Sequence, residues 1–219
     1  MPDFRSAKGI YNEKTRQQYT PKMILSAPFF YKYPEAFYEF YKAKLIYLNA
    51  KPNNCHKALA DLEKMGKLSA IITQNIDGLH QAAGSKNVIE LHGTIYKNYC
   101  VKCHREYTID YLLQSKGIPY CECGHFIRPN IVLYEEPLNN EIIFKAISSI
   151  SRADTLIIGG TSLVVSPAAN LIEYFNGSNL VLINKSTTNA DKKANLVIHD
   201  SVGKVLHEAM ASLKSSFAC

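Results

Sequence analysis

The densest cluster of side chains suited to catalysis lies between residues 71 and 93. A short apolar segment, 69–72, leads directly into amides, a carboxylate and an imidazole, and the stretch closes on His92 and Gly93. In a parallel α/β sheet the ligand crevice lies beyond the carboxyl ends of the strands, so these residue types indicate a site. An Asn- and Asp-rich turn that caps a helix is the alternative interpretation. The cluster consists of Thr73, Gln74, Asn75, Asp77 and His80.

Two later predicted strands, 155–158 and 180–183, end in the same switch from apolar to polar residues. The first end offers small residues whose backbone amides can approach a phosphate, together with a hydroxyl. The second offers an amide suited to a ribose hydroxyl. Each turn alone is typical of an ordinary strand-to-helix connection, but the shared polarity of three strand ends favours a common site. The residues are Gly160, Thr161 and Ser162 at the first end, and Asn184 and Lys185 at the second.

His92 is the candidate general base. An imidazole with an unperturbed pKa of about 6.5 can accept a proton at neutral pH if it faces the crevice. A structural histidine is the alternative interpretation.

The cysteines predict a metal site. Four of the six fall within 24 positions, as C-x2-C, 17 residues, then C-x-C. Thiolates in two close pairs can close a tetrahedral structural zinc site, and a filled four-ligand shell leaves no position for catalysis. His104 and His125 lie beside the cysteines and are alternative ligands. The predicted ligands are Cys100, Cys103, Cys121 and Cys123.

Alternating apolar strands and amphipathic helices predict an α/β fold, a Rossmann-like parallel sheet with helices on both faces. A small zinc-binding module interrupts it where the cysteines collect and the apolar periodicity is poor. Helices are predicted over 34–48, from Asn54 to Gly66, and over 139–151, 167–175 and 201–213. Strands are predicted over 69–72, 130–134, 155–158, 180–183 and 196–198.

Length and charge narrow the class of protein. The 219 residues contain no apolar run of about 18 and no charged-then-apolar leader, so we expect neither a membrane partner nor export. The net charge of +6 comes from scattered lysines, so we expect no direct nucleic-acid partner. The interpretation is a cytoplasmic protein of unknown oligomeric state.

Taken together, the motifs resemble the sirtuins, the NAD-dependent protein deacylases. The matching stretches occur in that family's order and span nearly the whole chain. They are PDFRS (2–6), TQNIDGLH (73–80), ELHG (90–93), the four cysteines, RPNIVLYEE (128–136), GGTSLVVSPA (159–168) and LINKS (182–186).

The resemblance implies that NAD and an acylated lysine peptide are the ligands, bound in a cleft between the Rossmann-like domain and the zinc module. His92 would act as general base on a ribose hydroxyl, and the products would be free lysine, nicotinamide and O-acyl-ADP-ribose. The backbone around Val132 and Tyr134 would pair with the peptide. The implied cofactor contacts are Phe4 over the leaving site, Arg5 near the phosphates, Gln74, Asn75 and Asp77 around the nicotinamide and its ribose, Gly160, Thr161 and Ser162 at the phosphates, and Asn184 and Lys185 at the adenosine ribose.

The resemblance also implies the domain boundaries. Residues 1–32 would be a remnant of the cofactor-loop region, and 94–128 the zinc module. The Rossmann-like domain would comprise 33–93 and 129–219, with a helical pair at 33–67.

Several positions depart from the family's pattern. Its first strand and G-A-G-x-S loop, expected before Pro2, do not occur, and the eleven glycines contain no G-x-G. We therefore expect a fragment or a mis-started reading frame with weakened NAD binding. Asn130 and Glu135 replace the more usual Asp and Gly, which leaves the peptide preference open.

Two residues of the first predicted helix bear on which acyl group is preferred. Tyr41 and Lys44 stand where desuccinylating sirtuins carry Tyr-x-x-Arg, and a lysine recognises an acidic acyl group less well than an arginine fork. Deacetylation is therefore expected, although both residues also fit an ordinary helix surface. The alternative functions are a catalytically inactive, zinc-stabilised binding module and a protein ADP-ribosyltransferase.

Overall fold

The computed structural model describes residues 19–163 and 167–216. The chain divides into two compact units. The described part of unit 1 contains residues 19–50, 75–78 and 92–137, and that of unit 2 contains 51–74, 79–91, 138–163 and 167–216.

Three helices open unit 1, namely α1 (Pro21–Ile24), α2 (Ala27–Lys32) and α3 (Pro34–Lys44). Each has a proline in its first turn, where the missing N–H costs nothing. The helix predicted over 34–48 ends earlier, at Lys44. Leu45 is the last buried leucine of the predicted apolar pattern, since Leu48 is exposed. Their inner faces build an aromatic core. Its fully buried rings are Phe30, Phe37, Tyr38 and Tyr41.

A three-stranded antiparallel sheet completes unit 1, in the order β4 (Glu106–Thr108), β3 (Gly93–Cys100) and β5 (Ile127–Ile131), with the helix α6 (Ile109–Gln114) beside it. The prediction of a strand over 130–134 is therefore wrong in its bounds, because β5 begins and ends three residues earlier.

The strand ends at Ile131 because the residues that follow form hydrogen bonds outside the antiparallel sheet. The Leu133 amide donates to the Glu136 carboxylate, and Tyr134 forms a parallel bridge with Ser26. Both contacts take the chain out of the β3 ladder.

Unit 2 carries the parallel strands. β1 (Ile71–Thr73) pairs with β2 (Val88–Glu90), and β6 (Thr155–Gly159), β7 (Asn179–Ile183) and β8 (Leu196–Ile198) pair in that order. Five helices accompany them. They are α4 (Asn54–Lys64), α5 (Leu79–Ala82), α7 (Asn140–Ser151), a 3-10 helix (Ala168–Tyr174) and α8 (Val202–Ser216).

Helices cover both faces of these strands. Leu156 of β6 packs with α7 and the 3-10 helix, whereas Val181 and Ile183 of β7 pack with α4 and α8. The alternation follows from the two-residue period of a strand. The predicted α/β class, with parallel strands, covering helices and a four-cysteine module, is confirmed.

Two local predictions need correction. Asn53, not Asn54, caps α4, because its side-chain oxygen accepts from the amides of Cys55 and His56. The helix predicted over 167–175 is a 3-10 helix: Pro167 offers no side-chain cap, and Phe175 donates to Ile172 in the i to i−3 pattern.

Candidate functional site

The four predicted cysteines converge at one point of unit 1. Their Sγ atoms all lie within 4.8 Å of one another, with Cys100 3.4 Å from Cys123 and Cys103 3.5 Å from Cys121. Tetrahedral zinc with Zn–S bonds of about 2.3 Å places sulfur atoms about 3.8 Å apart, so the arrangement fits that ion. Both cysteines of the unusual C-x-C pair take part. Four thiolates fill the shell, so the ion would hold the module together.

The electrostatics of the thiols also suit a cation. The backbone amide of Cys123 lowers the pKa of Cys121 to about 6. A backbone hydrogen bond at His125 lowers the pKa of the Cys123 thiol. The neighbouring thiols raise it by more, so that the pKa of Cys123 is about 12. A bound divalent cation removes this repulsion. His125 places Nδ1 3.9 Å from the Cys123 sulfur, and the metal-ligand geometry involves the cysteines and neither adjacent histidine.

The predicted base region gathers around the start of β3. The amide of Val132 donates to the backbone carbonyl of His92 at 3.0 Å, and the amide of Ile95 donates to the carbonyl of Ile76 at 3.1 Å. Ile76 lies between the predicted nicotinamide contacts Asn75 and Asp77. Unit 1 therefore brings three predicted features together: the half-buried base, the nicotinamide loop and the peptide-pairing segment.

Two glycines shape this region. Gly93 has φ +74, and a Cβ there would lie 2.0 Å from the backbone oxygen of Asn130. Gly78 has φ +66, and a Cβ there would lie 2.7 Å from the ring of Tyr96. The glycines of the D-G-L-H and H-G motifs are thus required by backbone conformation and by close approach.

Unit 2 holds the strand ends predicted to bind the rest of the cofactor. The Gly160 amide donates to the carbonyl of Ile183 at 3.1 Å, which ties the G-G-T-S turn to the end of β7 beside Asn184. Gly160 therefore contributes space and not a free donor. The hydroxyl oxygen of Thr161 accepts from the Leu163 amide at 3.2 Å, and Ser162 is exposed. Lys185 is exposed directly after Asn184. Gln74 lies in unit 2, directly after β1.

The remaining predicted residues are placed as follows. Tyr41 is fully buried, with its ring stacked on Phe37 and its hydroxyl without a hydrogen-bond partner in the part of the chain described. Lys44 and Tyr134 are half-buried. Phe4 and Arg5 lie outside the described residues.

An ion pair that the sequence prediction missed braces the peptide-pairing segment. The Arg128 guanidinium contacts both carboxylate oxygens of Glu136, at 2.7 and 2.9 Å, and also donates to the carbonyl of Ile131. Burial opposes ionisation of Glu136, but hydrogen bonds from Arg128 and from the Leu133 amide outweigh it and hold the pKa of its carboxyl below its ordinary value. The available signal was two opposite charges flanking the apolar run in RPNIVLYEE.

These features define a class: an α/β protein with parallel strands, a four-cysteine structural module, and a histidine next to the segment predicted to pair with a peptide. A family model described as the Sir2 family matches residues 1–167. The chain belongs to the Sir2 family, which confirms the predicted sirtuin resemblance.

Similar proteins support this family assignment. The chain is 64% identical over 208 residues to an NAD-dependent protein deacetylase of Clostridium perfringens, covering 94% of this chain and 85% of that protein. It is 55% identical over 208 residues to one of Clostridium acetobutylicum, covering 94% and 85%.

Solved structures also match. A Sir2 protein with a p53 peptide and NAD+ has a TM-score of 0.83 at 42% identity, covering 91% of this chain and 86% of that one. A variant of a Sir2 homologue with ADP-ribose has a TM-score of 0.90 at 32% identity, covering 100% and 87%. Among the described residues, no helix is long and apolar enough to cross a membrane.

Proposed function

We propose that His92 is the general base with which this chain removes acetyl groups from protein lysines. The class of activity follows from the family and its relatives: the chain is an NAD-dependent protein deacetylase. The residue roles and a cytoplasmic location are the proposal.

One observation carries the assignment of roles: the hydrogen bond from the Val132 amide to the His92 carbonyl. It keeps His92, the proposed base, next to the segment proposed to hold the substrate, within one compact unit. When bound, NAD supplies the electrophilic ribose carbon and its nicotinamide leaving group. Asn75 and Asp77 orient the nicotinamide ribose, and His92 takes a proton from a ribose hydroxyl.

Backbone groups of residues 132–135 hold the peptide. The amides of Val132, Leu133 and Tyr134 already donate to His92, Glu136 and Leu25, and the carbonyls of Leu133 and Tyr134 accept from the amides of Glu136 and Ala27. The peptide strand is therefore expected to pair with the carbonyls of Val132 and Glu135 and with the Glu135 amide. Homologous Sir2 structures have been solved with an acetylated peptide and with a propionylated peptide, which supports a neutral acyl group.

In unit 2, Ser162 meets the phosphates, and Asn184 and Lys185 meet the adenosine ribose. Support comes from the bond between the Gly160 amide and Ile183, which places this turn beside Asn184 in unit 2. Gln74, directly after β1 of the same unit, contacts the nicotinamide ribose.

The compartment is proposed from the cysteines. Five free thiols lie in the described part of the chain, and four of them form the metal-binding cluster. Thiols in this state persist in a reducing compartment, which is the cytoplasm of a bacterium.

The test measures nicotinamide release and lysine deacetylation with an acetyl-lysine peptide. His92→Ala is expected to lower the deacetylation rate by about 10²–10⁴, the usual contribution of a general base. Exchange of labelled nicotinamide into NAD is expected to survive, because the base acts after nicotinamide leaves. His207→Ala, on the exposed face of α8, is the matched control. Normal deacetylation by His92→Ala would refute the role given to this residue.

A further inference from the structure

The His199 imidazole lies between a carboxylate and a backbone carbonyl in unit 2. Its Nε2 is 3.5 Å from the Asp191 carboxylate, and its Nδ1 is 3.1 Å from the carbonyl oxygen of Asn184. A carbonyl oxygen only accepts, so Nδ1 carries the proton and donates to Asn184. The ring therefore links Asp191 to the residue at the end of β7.

The carboxylate that faces the ring is itself fixed. Asp191 Oδ1 accepts from both the amide and the hydroxyl of Thr188, each at 2.8 Å. These hydrogen bonds hold the pKa of the Asp191 carboxyl below its ordinary value, so it is ionised at neutral pH. Nε2 donates to this carboxylate only when it carries a proton in addition to the one on Nδ1, whereas the Nδ1 contact to Asn184 needs no second proton.

At the other side of the ring, Asn184 is held by three contacts. Its carbonyl accepts from His199, its amide donates to the Ile198 carbonyl at 3.1 Å, and its side-chain nitrogen donates to the Ser186 carbonyl at 2.8 Å. With the nitrogen engaged, the side-chain oxygen is the atom that can accept a hydrogen bond from a sugar hydroxyl. Its direction depends on all three contacts.

We propose that His199, through the Nδ1 proton that it donates to the Asn184 carbonyl, is a positioning residue that fixes Asn184 for the adenosine ribose of the cofactor. This inference rests on the proposed function, because it takes Asn184 as the ribose contact. His199 touches neither cofactor nor substrate in this proposal. It acts through the main chain of Asn184, so its loss is expected to weaken NAD binding and to leave the chemical step unchanged.

The test compares kcat and KM for NAD, at saturating acetyl-lysine peptide, with NAD affinity from calorimetry. His199→Ala is expected to raise KM and Kd about tenfold, the effect of one lost hydrogen bond to an oriented group, with kcat within about twofold. His199→Asn keeps a donor near Nδ1 and is expected to recover part of the loss. Lys193→Ala is the matched control, since it breaks an exposed ion pair with Glu173 in the same unit.

Amide hydrogen exchange over residues 184–191 gives a readout without ligand. His199→Ala is expected to raise exchange there, and Lys193→Ala is not. If Asn184→Ala raises KM but His199→Ala changes neither KM nor exchange, the inference is wrong and the proposed function stands. If Asn184→Ala leaves NAD affinity unchanged, the ribose assignment is wrong, and the role of His199 falls with it. A fall in kcat as large as the rise in KM would also overturn a positioning role.

Discussion

The carbonyl of His92 accepts a hydrogen bond from the amide of Val132 at 3.0 Å. This bond is possible because the next residue, Gly93, lets β3 approach β5 closely. The oxygen of Asn130 would lie 2.0 Å from any Cβ at position 93. The spacing between His92, the proposed base, and the segment proposed to hold the peptide therefore depends on the absence of a Cβ at position 93.

Gly93→Ala is expected to destabilise the protein by about 3 kcal/mol or more, since a backbone clash adds to the cost of positive φ. Urea denaturation of purified protein measures the change. Gly117→Ala is the matched control, because Gly117 has φ +68 but nothing within 4 Å of the added Cβ. It is expected to cost only about 1–2 kcal/mol, the conformational penalty alone. Equal costs for the two variants would show that the Asn130 contact is unimportant.

Glu135→Gly is expected to stabilise the chain. Glu135 is an exposed residue with φ +71, a conformation that costs a residue with a Cβ about 1–2 kcal/mol. Glycine removes that cost but loses more entropy on folding, so the net gain is about 0.5–1 kcal/mol. Glu135→Ala keeps the Cβ and is expected to gain nothing. A similar gain in both variants would trace the effect to the charge.

Zinc is expected at one ion per chain, bound by the four cysteines. Removal by a chelator, or Cys121→Ser, is expected to abolish the ordered structure around the cysteines, because metal binding supplies folding energy in such modules. Metal analysis and near-UV circular dichroism follow both changes. His104→Ala and His125→Ala are expected to keep the full metal content, and loss of zinc from either would mean that an imidazole is a ligand.

Local sequence pattern suffices to predict some elements of the fold. β8 was predicted with its observed bounds, and α7 to within one residue, because periodicity and the Asn139 cap mark them. The cysteine cluster was found because its ligands are close in sequence. Predicting β5 failed, since its end depends on contacts with Ser26 and Glu136. Arg128 with Glu136, and Asp191 with His199, were missed because their pairing is visible only in three dimensions.

The Arg128–Glu136 pair is expected to make stability depend on pH. The folded pKa of Glu136 is below its unfolded value, so its contribution is present above the unfolded pKa, about 4.3, and is lost as pH falls through the folded pKa. Glu136→Gln is expected to flatten this acid limb of a plot of unfolding free energy against pH.

Removing one partner of this pair is expected to be costly. The Glu136 side chain is 20% exposed and that of Arg128 is 8% exposed, so Arg128→Met leaves a partly buried, unpaired carboxylate and is expected to cost about 3 kcal/mol. Arg105→Met is the control, because the Arg105–Glu122 pair is exposed and such pairs contribute about 0–1 kcal/mol. A small cost for Arg128→Met would mean that the pair does not brace the segment.

Tyr41→Phe is expected to stabilise the protein by about 1 kcal/mol, because the Tyr41 hydroxyl is buried and lacks a hydrogen-bond partner among the residues described. Tyr38→Phe is the matched control. The Tyr38 hydroxyl, also buried, donates to the carbonyl of Ile127, so its removal is expected to destabilise the protein by a similar amount.

Acyl preference separates the two interpretations of Tyr41. If its hydroxyl recognises an acidic acyl group, Tyr41→Phe lowers the rate on a succinyl-lysine peptide relative to an acetyl-lysine peptide. If Tyr41 serves only the core, as its stacking on Phe37 indicates, the ratio of the two rates stays unchanged while stability rises. We expect the unchanged ratio. A selective loss on the succinylated peptide would instead place Tyr41 at the acyl-lysine site.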